Sequence, residues 1–257
     1  MPALEHLSHS SIQTYLQCPR AWSFRYREGV RAPSSPALVL GSALHGAVED
    51  ILRRRRTGQP VPLAEVWQEQ WAKATAQPVE WGADMPEQFA NDGYRLLAHP
   101  DTATTLDGLV PLVEDGVLAI EKRVKLRVPG VPIPVLGFID LITADHVPTD
   151  FKTSSKPWTP EKAAAETQPL YYLAALNQAG HYLNTSYRFR HVVWVKSRVP
   201  QVQVIETSHT IGAVLWVLRM IRDVWLAIDS GSFPPNPGTW SCAPRWCSYW
   251  TLCRGKE

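Results

Sequence analysis

The N-terminus, "MPALEHLSHS", offers no charged start followed by an apolar segment, so a secretory leader is not expected. An uncharged apolar run long enough to cross a bilayer is missing as well. The most apolar helical stretch, "IGAVLWVLRMIRDVWLAI" (211–228), is interrupted by Arg219, Arg222 and Asp223 and reads as an amphipathic core helix. These absences point to a cytoplasmic chain with no membrane partner. No internal repeat is present. Nor is there an excess of either charge: the net charge is +2. The chain is not a polycation, so any nucleic-acid contact must come from local clusters such as Arg53–Arg56 or "EKRVKLR" (121–127). Cysteine is scarce, at four residues. Cys18 stands alone, while Cys242, Cys247 and Cys253 crowd the C-terminal end. Two disulfides would use up all four, but a reducing compartment disfavours them, and a metal or cluster site fits better.

What is present fits a globular protein. The 257 residues suffice for one large domain or two small ones with a substantial core. Tryptophan is abundant, at 11 residues. Residues 8–27 read as two short helices, with Ser8 or Ser10 capping the first, Pro19 opening the second and Cys18 at the joint. "ALVLGSALHGAVEDILRRRR" (37–56) is a helix with Leu44, Val48, Ile51 and Leu52 on its apolar face. Residues 57–115 read as mostly helical, with Trp67, Trp71, Phe89, Tyr94 and Leu97 as core candidates. From 117 the period becomes two, and strands are expected over 117–128, 135–143 and 147–153. A helix over 168–180, strands over 186–197 and 201–208, and a helix over 210–229 follow, before the linker "SGSFPPNPGTW". This order predicts an α/β core with a mixed sheet.

Two of those strands carry the chemistry. Asp150 and Lys152 in "VPTDFKTSSK" share one face of an extended strand. Asp140 lies a short hairpin upstream, and facing hairpin residues are within about 5 Å. Two carboxylates that close repel unless a cation sits between them. Hard oxygen ligands suit Mg²⁺ or Mn²⁺, which bridge phosphates, activate water and stabilise a pentavalent phosphate. Lys152 can orient that water or neutralise developing charge, and His45 can add a ligand from the neighbouring helix. Glu121 is a weaker candidate. Each feature has a plain reading when taken singly. An Asp-x-Lys pair is usually a solvated ion pair, a single His usually packs or caps, and Gln168 and Tyr172 are one face of a helix.

Taken in order, these features resemble the RecB-like branch of the PD-(D/E)XK nuclease superfamily. That branch includes the CRISPR-associated exonucleases and the nuclease domains of helicase–nuclease repair machines. "LSHSSIQTYLQCPRAWSFRYR" resembles the family's opening helix with its Cys-Pro, and "GSALH" (41–45) its Gly-x-x-x-His motif. "GFID" (137–140), "DFKTS" (150–154) and "QPLYY" (168–172) resemble the three motifs that follow. The resemblance implies a restriction-endonuclease-like α/β fold with a central mixed sheet flanked by helices. It implies His45, Asp140, Asp150 and the Phe151 carbonyl as metal ligands and Lys152 as catalytic lysine. Gln168 and Tyr172 would lie near the active site and the DNA. One nuclease domain would span 1–257, with roughly 57–115 as a helical insert and 236–257 as a tail pairing with Cys18.

Several members of that family hold a 4Fe–4S cluster with one cysteine before the core and three after it, as Cys18, Cys242, Cys247 and Cys253 are arranged here. Thiolates are the ligands such a cluster takes. The Cys247–Cys253 gap matches the family, whereas the Cys242–Cys247 gap is longer than the common one, which leaves structural Zn²⁺ as an alternative. The implied activity is a metal-dependent DNA exonuclease acting on single-stranded DNA or free ends, in repair, recombination or CRISPR adaptation and with proteins of those pathways. Trp158, Tyr171 and Tyr172 are candidates for stacking on unpaired bases, and Arg53–Arg56 for tracking phosphates. A non-catalytic DNA-binding adaptor on the same fold is the competing reading. The intact His45, Asp140, Asp150 and Lys152 set argues against it. A restriction-type endonuclease is less favoured, since no separate recognition domain is visible.

Overall fold

A computed structural model describes residues 4–181 and 187–255. Strand β1 (Leu7–Ser8) leads into helix α1 (His9–Gln17), where Ser8 and Ser11 form a reciprocal capping box. Cys18 ends α1, and Pro19 opens α2 (Pro19–Trp22), which runs on into a π-helical turn, Ser23–Arg27. Helix α3 (Pro36–Thr57) is capped by Ser35 and stopped by Gly58 at φ 68°. Three helices follow: α4 (Leu63–Ala74), α5 (Pro86–Leu97) and α6 (Pro100–Gly108), the last two with Pro at the first turn. A small hairpin, β2 (Val113–Glu114) and β3 (Val117–Leu118), turns at Asp115–Gly116, both at positive φ. Then come β4 (Ile120–Leu126), β5 (Val135–Ile142) and β6 (Pro148–Ser154). Helices α7 (Pro160–Ala165) and α8 (Gln168–Gln178), strands β7 (Tyr187–Val195) and β8 (Gln201–His209), and helices α9 (Ile211–Asp229) and α10 (Trp250–Arg254) complete the order.

The six-stranded sheet is mixed, as expected. β5 pairs antiparallel with β4 and β6, β6 parallel with β7, and β7 antiparallel with β8. A strand has two edges, and β4 covers one edge of β5 along Val135–Leu141. β1 and β6 therefore share the other edge, β1 beside Val135 and Leu136, β6 beside Leu141 and Ile142. Residues 137–140 lie between them, outside either pairing.

The sheet separates two apolar layers. One packs Ile12, Leu173, Val217 and Ile221 of α1, α8 and α9 against Val124, Val135 and Ile139. The other packs Leu44, Ile51, Trp67 and Leu97 of α3–α5 against Ile120, Leu141, Phe151 and Trp194. Residues of equal parity thus face opposite layers along one strand: Ile120 against Val124 in β4, and Leu141 against Ile139 in β5. The alternation slips at Glu121 and Asp140. Glu121 is at φ 52°, and the β4–β5 pairing passes from Ile120–Leu141 to Lys122–Ile139 without joining these two. The register is the same on both sides of this step, so no residue is inserted; the left-handed backbone at Glu121 kinks the strand locally and re-aims its side chains.

Three expectations need correction. Tyr94 is exposed, so it is not a core residue; its neighbour Gly93 is the α5 position that packs against Trp67. The strand expected over 117–128 divides at Ala119, whose N–H donates to the Leu112 carbonyl while its own carbonyl accepts from Ile142, and Val128 is buried beyond its end. β1 and α7 were not anticipated. Ser186, the first residue of the next expected strand, lies outside the described residues. Among the described residues, no helix is long and apolar enough to cross a membrane.

Candidate active site

Asp140 sits where β5 and β6 part. Their ladder is Leu141–Thr149 and Ile142–Pro148, and the next step would set Asp140 against Asp150. Instead the Asp140 carboxylate accepts from the Phe151 backbone N–H at 2.5 Å. A side chain thus takes the place of a ladder bond. His45, on the middle of α3, brings Nδ1 to 3.8 Å from the same Asp140 Oδ2, and its ring meets Phe151 edge-on. Asp150 is 2% exposed on β6, and Lys152, two residues on, places Nζ 2.5 Å from Asp150 Oδ2. The contact is close but not aligned as a hydrogen bond, and Asp150 Oδ2 has no hydrogen-bond partner. Lys152 donates instead to Gln168 Oε1 at 2.8 Å, and Gln168 Nε2 donates to the Tyr172 hydroxyl at 2.8 Å. Gln168 and Tyr172 stand one turn apart on α8. Gly137 makes room for that ring: a Cβ there would lie 2.8 Å from Tyr172 Cε1.

The charges are strongly perturbed. Burial raises the Asp140 carboxyl well above its ordinary range, and Asp150 adds to the rise, against the Phe151 amide and Lys152. Burial lowers His45 to about 4, so its imidazole is neutral at pH 7 and able to act as a ligand. Tyr172 is raised by burial and by the Asp150 charge. His45, Lys152, Glu49 and Glu121 line one open cleft of about 610 Å³. Glu49, one turn after His45, hydrogen-bonds Glu121, and burial with the Glu121 charge pushes it up to about 8. Sequence reasoning missed Glu49. Its helical spacing from His45 was a readable signal.

All the expected side chains of this site therefore come together. Among the described residues, no three His, Cys, Asp or Glu side chains are drawn in tightly enough to hold a metal as they stand. The carboxylates are turned to the Phe151 amide and the Lys152 ammonium. The donor chemistry nevertheless fits a hard divalent cation: two carboxylates, a neutral imidazole and a buried carboxylate oxygen without a hydrogen-bond partner.

Other expectations fare differently. Trp158, Tyr171 and Tyr172 are 9%, 3% and 6% exposed, which leaves no open ring face for a base. Arg53 donates to the Ile120 carbonyl, Arg54 pairs with Asp50 and Arg55 with Asp107, so most of that cluster is engaged internally. The four cysteines are free thiols and line one cavity of about 400 Å³ between α1–α2 and the tail. Burial raises the Cys247 thiol, and Cys18, Cys242 and Cys253 add to the rise.

The family model for the PD-(D/E)XK nuclease superfamily matches residues 6–254. A solved chain from Eubacterium rectale, described as a "Putative exonuclease", is similar over 98% of this chain and 90% of its own, with a TM-score of 0.64 and 11% identity. A second solved structure, SSO0001, covers 96% of this chain and 94% of its own at 12% identity, but its TM-score of 0.36 carries no argument. No curated protein matches the chain. At such identity the Eubacterium rectale likeness speaks for the fold alone, which is the restriction-endonuclease-like α/β fold.

Proposed function

We propose that this chain, which belongs to the PD-(D/E)XK nuclease superfamily, is a metal-dependent DNA exonuclease acting on single-stranded DNA or free ends. Membership makes nucleic acid the substrate class and phosphodiester hydrolysis the reaction. The observation that carries the finer reading is the meeting of His45 from α3 with Asp140 of β5 and of Lys152 with Asp150 on β6, His45 and Lys152 lining one cleft. His45, Asp140, Asp150 and the Phe151 carbonyl would hold Mg²⁺ or Mn²⁺, whose chemistry is to activate water and stabilise the charge of a pentavalent phosphate. Lys152 neutralises charge on the reacting phosphate, and Gln168 holds its ammonium in place. Tyr172 fixes Gln168 in turn.

In this reading 1–257 is one nuclease domain, with 57–115 as a helical insert and 236–257 as the tail. The chain is cytoplasmic and serves repair, recombination or CRISPR adaptation with the proteins of those pathways. The four cysteines around one cavity support a 4Fe–4S cluster of the RecB-like kind, with structural Zn²⁺ as the alternative. Either would pin the tail to Cys18.

The test is incubation with DNA end-labelled on each strand polarity in Mg²⁺ or Mn²⁺. Degradation is expected, abolished by EDTA and reduced about 100-fold or more in Asp150→Ala and Lys152→Ala. Binding without cleavage by the wild-type protein under either metal would instead favour the adaptor.

A further inference from the structure

Few of the indoles stand in the open. Trp22, Trp67, Trp158 and Trp194 are buried, and the aromatics beside the cleft offer no free face. In the C-terminal tail, by contrast, Trp240 is 74% exposed and Trp246 55%, more than Trp216 of α9 at 47%. Their ring centroids are 5.9 Å apart. The Arg245 guanidinium lies 4.8 Å over Trp246, and that of Arg254 5.1 Å over Trp250. From Ser230 to Gly255 the chain contains no Asp or Glu. Large indoles left in water, flanked by guanidinium groups and free of carboxylates, suit a polyanion with flat rings to offer. Single-stranded nucleic acid is that partner: bases stack on aromatic faces whatever their sequence, and arginines meet the phosphates.

Helix α1 ties this surface to the cleft. At its C-terminal end, Gln17 donates to Ser241 Oγ at 2.8 Å, and its carbonyl accepts from Asn236 at 3.0 Å. At its N-terminal end and middle, His9 and Gln13 both meet Thr167, the residue before Gln168. The ends of α1 are roughly 12 Å apart at 1.5 Å per residue. That is about four nucleotides at the 3.4 Å spacing of a stacked strand.

We propose that Trp240 and Trp246, with Arg245 and Arg254, form a docking surface for the unpaired strand of the substrate, outside the hydrolytic cleft. This rests on the nuclease reading above. The test is fluorescence anisotropy of a long labelled oligothymidylate at fixed salt, in EDTA and in the Asp150→Ala background, so that binding is read without hydrolysis. Trp240→Ala/Trp246→Ala should weaken binding about tenfold or more. Trp240→Phe/Trp246→Phe should retain most of the affinity. In the active protein the alanine pair should leave hydrolysis of a dinucleotide, too short to bridge α1, unchanged. Where the alanine pair lowers the unfolding midpoint, Arg245→Gln and Arg254→Gln decide the matter through a shallower salt dependence. Unchanged affinity in the alanine pair overturns the proposal, as does equal loss with phenylalanine. A concentration-dependent dimer that the alanine pair abolishes, with DNA affinity intact, overturns it too, since a second copy would then be the occupant. Failure of the nuclease reading shows separately, as wild-type binding that depends on the indoles with no cleavage.

Discussion

Glu49 shows how a single side chain records its surroundings. Its ordinary value is 4.5, and in the folded protein it stands near 8 because of burial and Glu121. Between those values the folded state holds a proton that the unfolded state has released, so stability falls as pH rises through that window. Glu49 therefore favours a higher urea midpoint at about pH 5 than at about pH 8, whereas the buried His9, His45 and His191, lowered to about 4, act the other way. Relative to wild type, Glu49→Gln should shift the balance of midpoints toward the higher pH, and an unchanged difference between the two pH values would remove Glu49 as a contributor. At this scale the sequence was informative where chemistry is written in short spacings. Asp150 and Lys152 are two apart on a strand, Gln168 and Tyr172 four apart on a helix, and each pair lies where its period places it. The Glu49–Glu121 contact was not legible, because it depends on a left-handed kink that turns Glu121 out of the alternation.

Among the elements, the long and strongly periodic ones were readable and the short ones were not. Helix α3 has a Ser cap, an apolar stripe and a glycine stop within its own residues. β1 has two residues and exists because β5 leaves an edge open for it, a fact held more than a hundred residues away. The helices of 57–115 have propensity enough to be recognised, but their packing is set by contacts such as that of Gly93 in α5 with Trp67 in α4. A Cβ on Gly93 would lie 2.2 Å from the Trp67 ring and 2.7 Å from Leu40 of α3. Gly93→Ala should therefore destabilise the protein by about 1–3 kcal/mol through overpacking. Gly108→Ala, on α6 with nothing within 4 Å, should be neutral or slightly stabilising. Denaturant unfolding of the two variants should give opposite or clearly separated shifts, and a loss in both of similar size would count against the packing account.

Over the whole molecule, the two ends of the chain clasp each other. Phe233 stacks on Trp22 with centroids 5.5 Å apart at 5°, meets Tyr15 edge-on, and lies under Arg27 at 5.1 Å. The Tyr15 hydroxyl donates to the Ser232 carbonyl at 2.6 Å. Phe233→Ala should cost about 2 kcal/mol of global stability, less than a fully buried Phe because its site is only partly enclosed. A double-mutant cycle with Trp22→Ala should return a coupling of about 0.5–1.5 kcal/mol, and strict additivity would mean the stack contributes nothing of its own. The α/β order was predictable from the alternation of periods, and the cysteine arrangement pointed to the tail meeting the segment around Cys18, but the stack of Phe233 on Trp22 was not legible. It joins rings more than two hundred residues apart, and no spacing pairs these two.

The peptide nitrogen of Phe151 is bonded to a carboxylate rather than to a neighbouring strand. The resonance of that one amide proton therefore registers the ionisation of Asp140 directly. With six phenylalanines in the chain, nitrogen-15 labelling of that residue type alone yields a spectrum sparse enough to follow it. The fold thus carries its own spectroscopic gauge for whatever occupies the cleft.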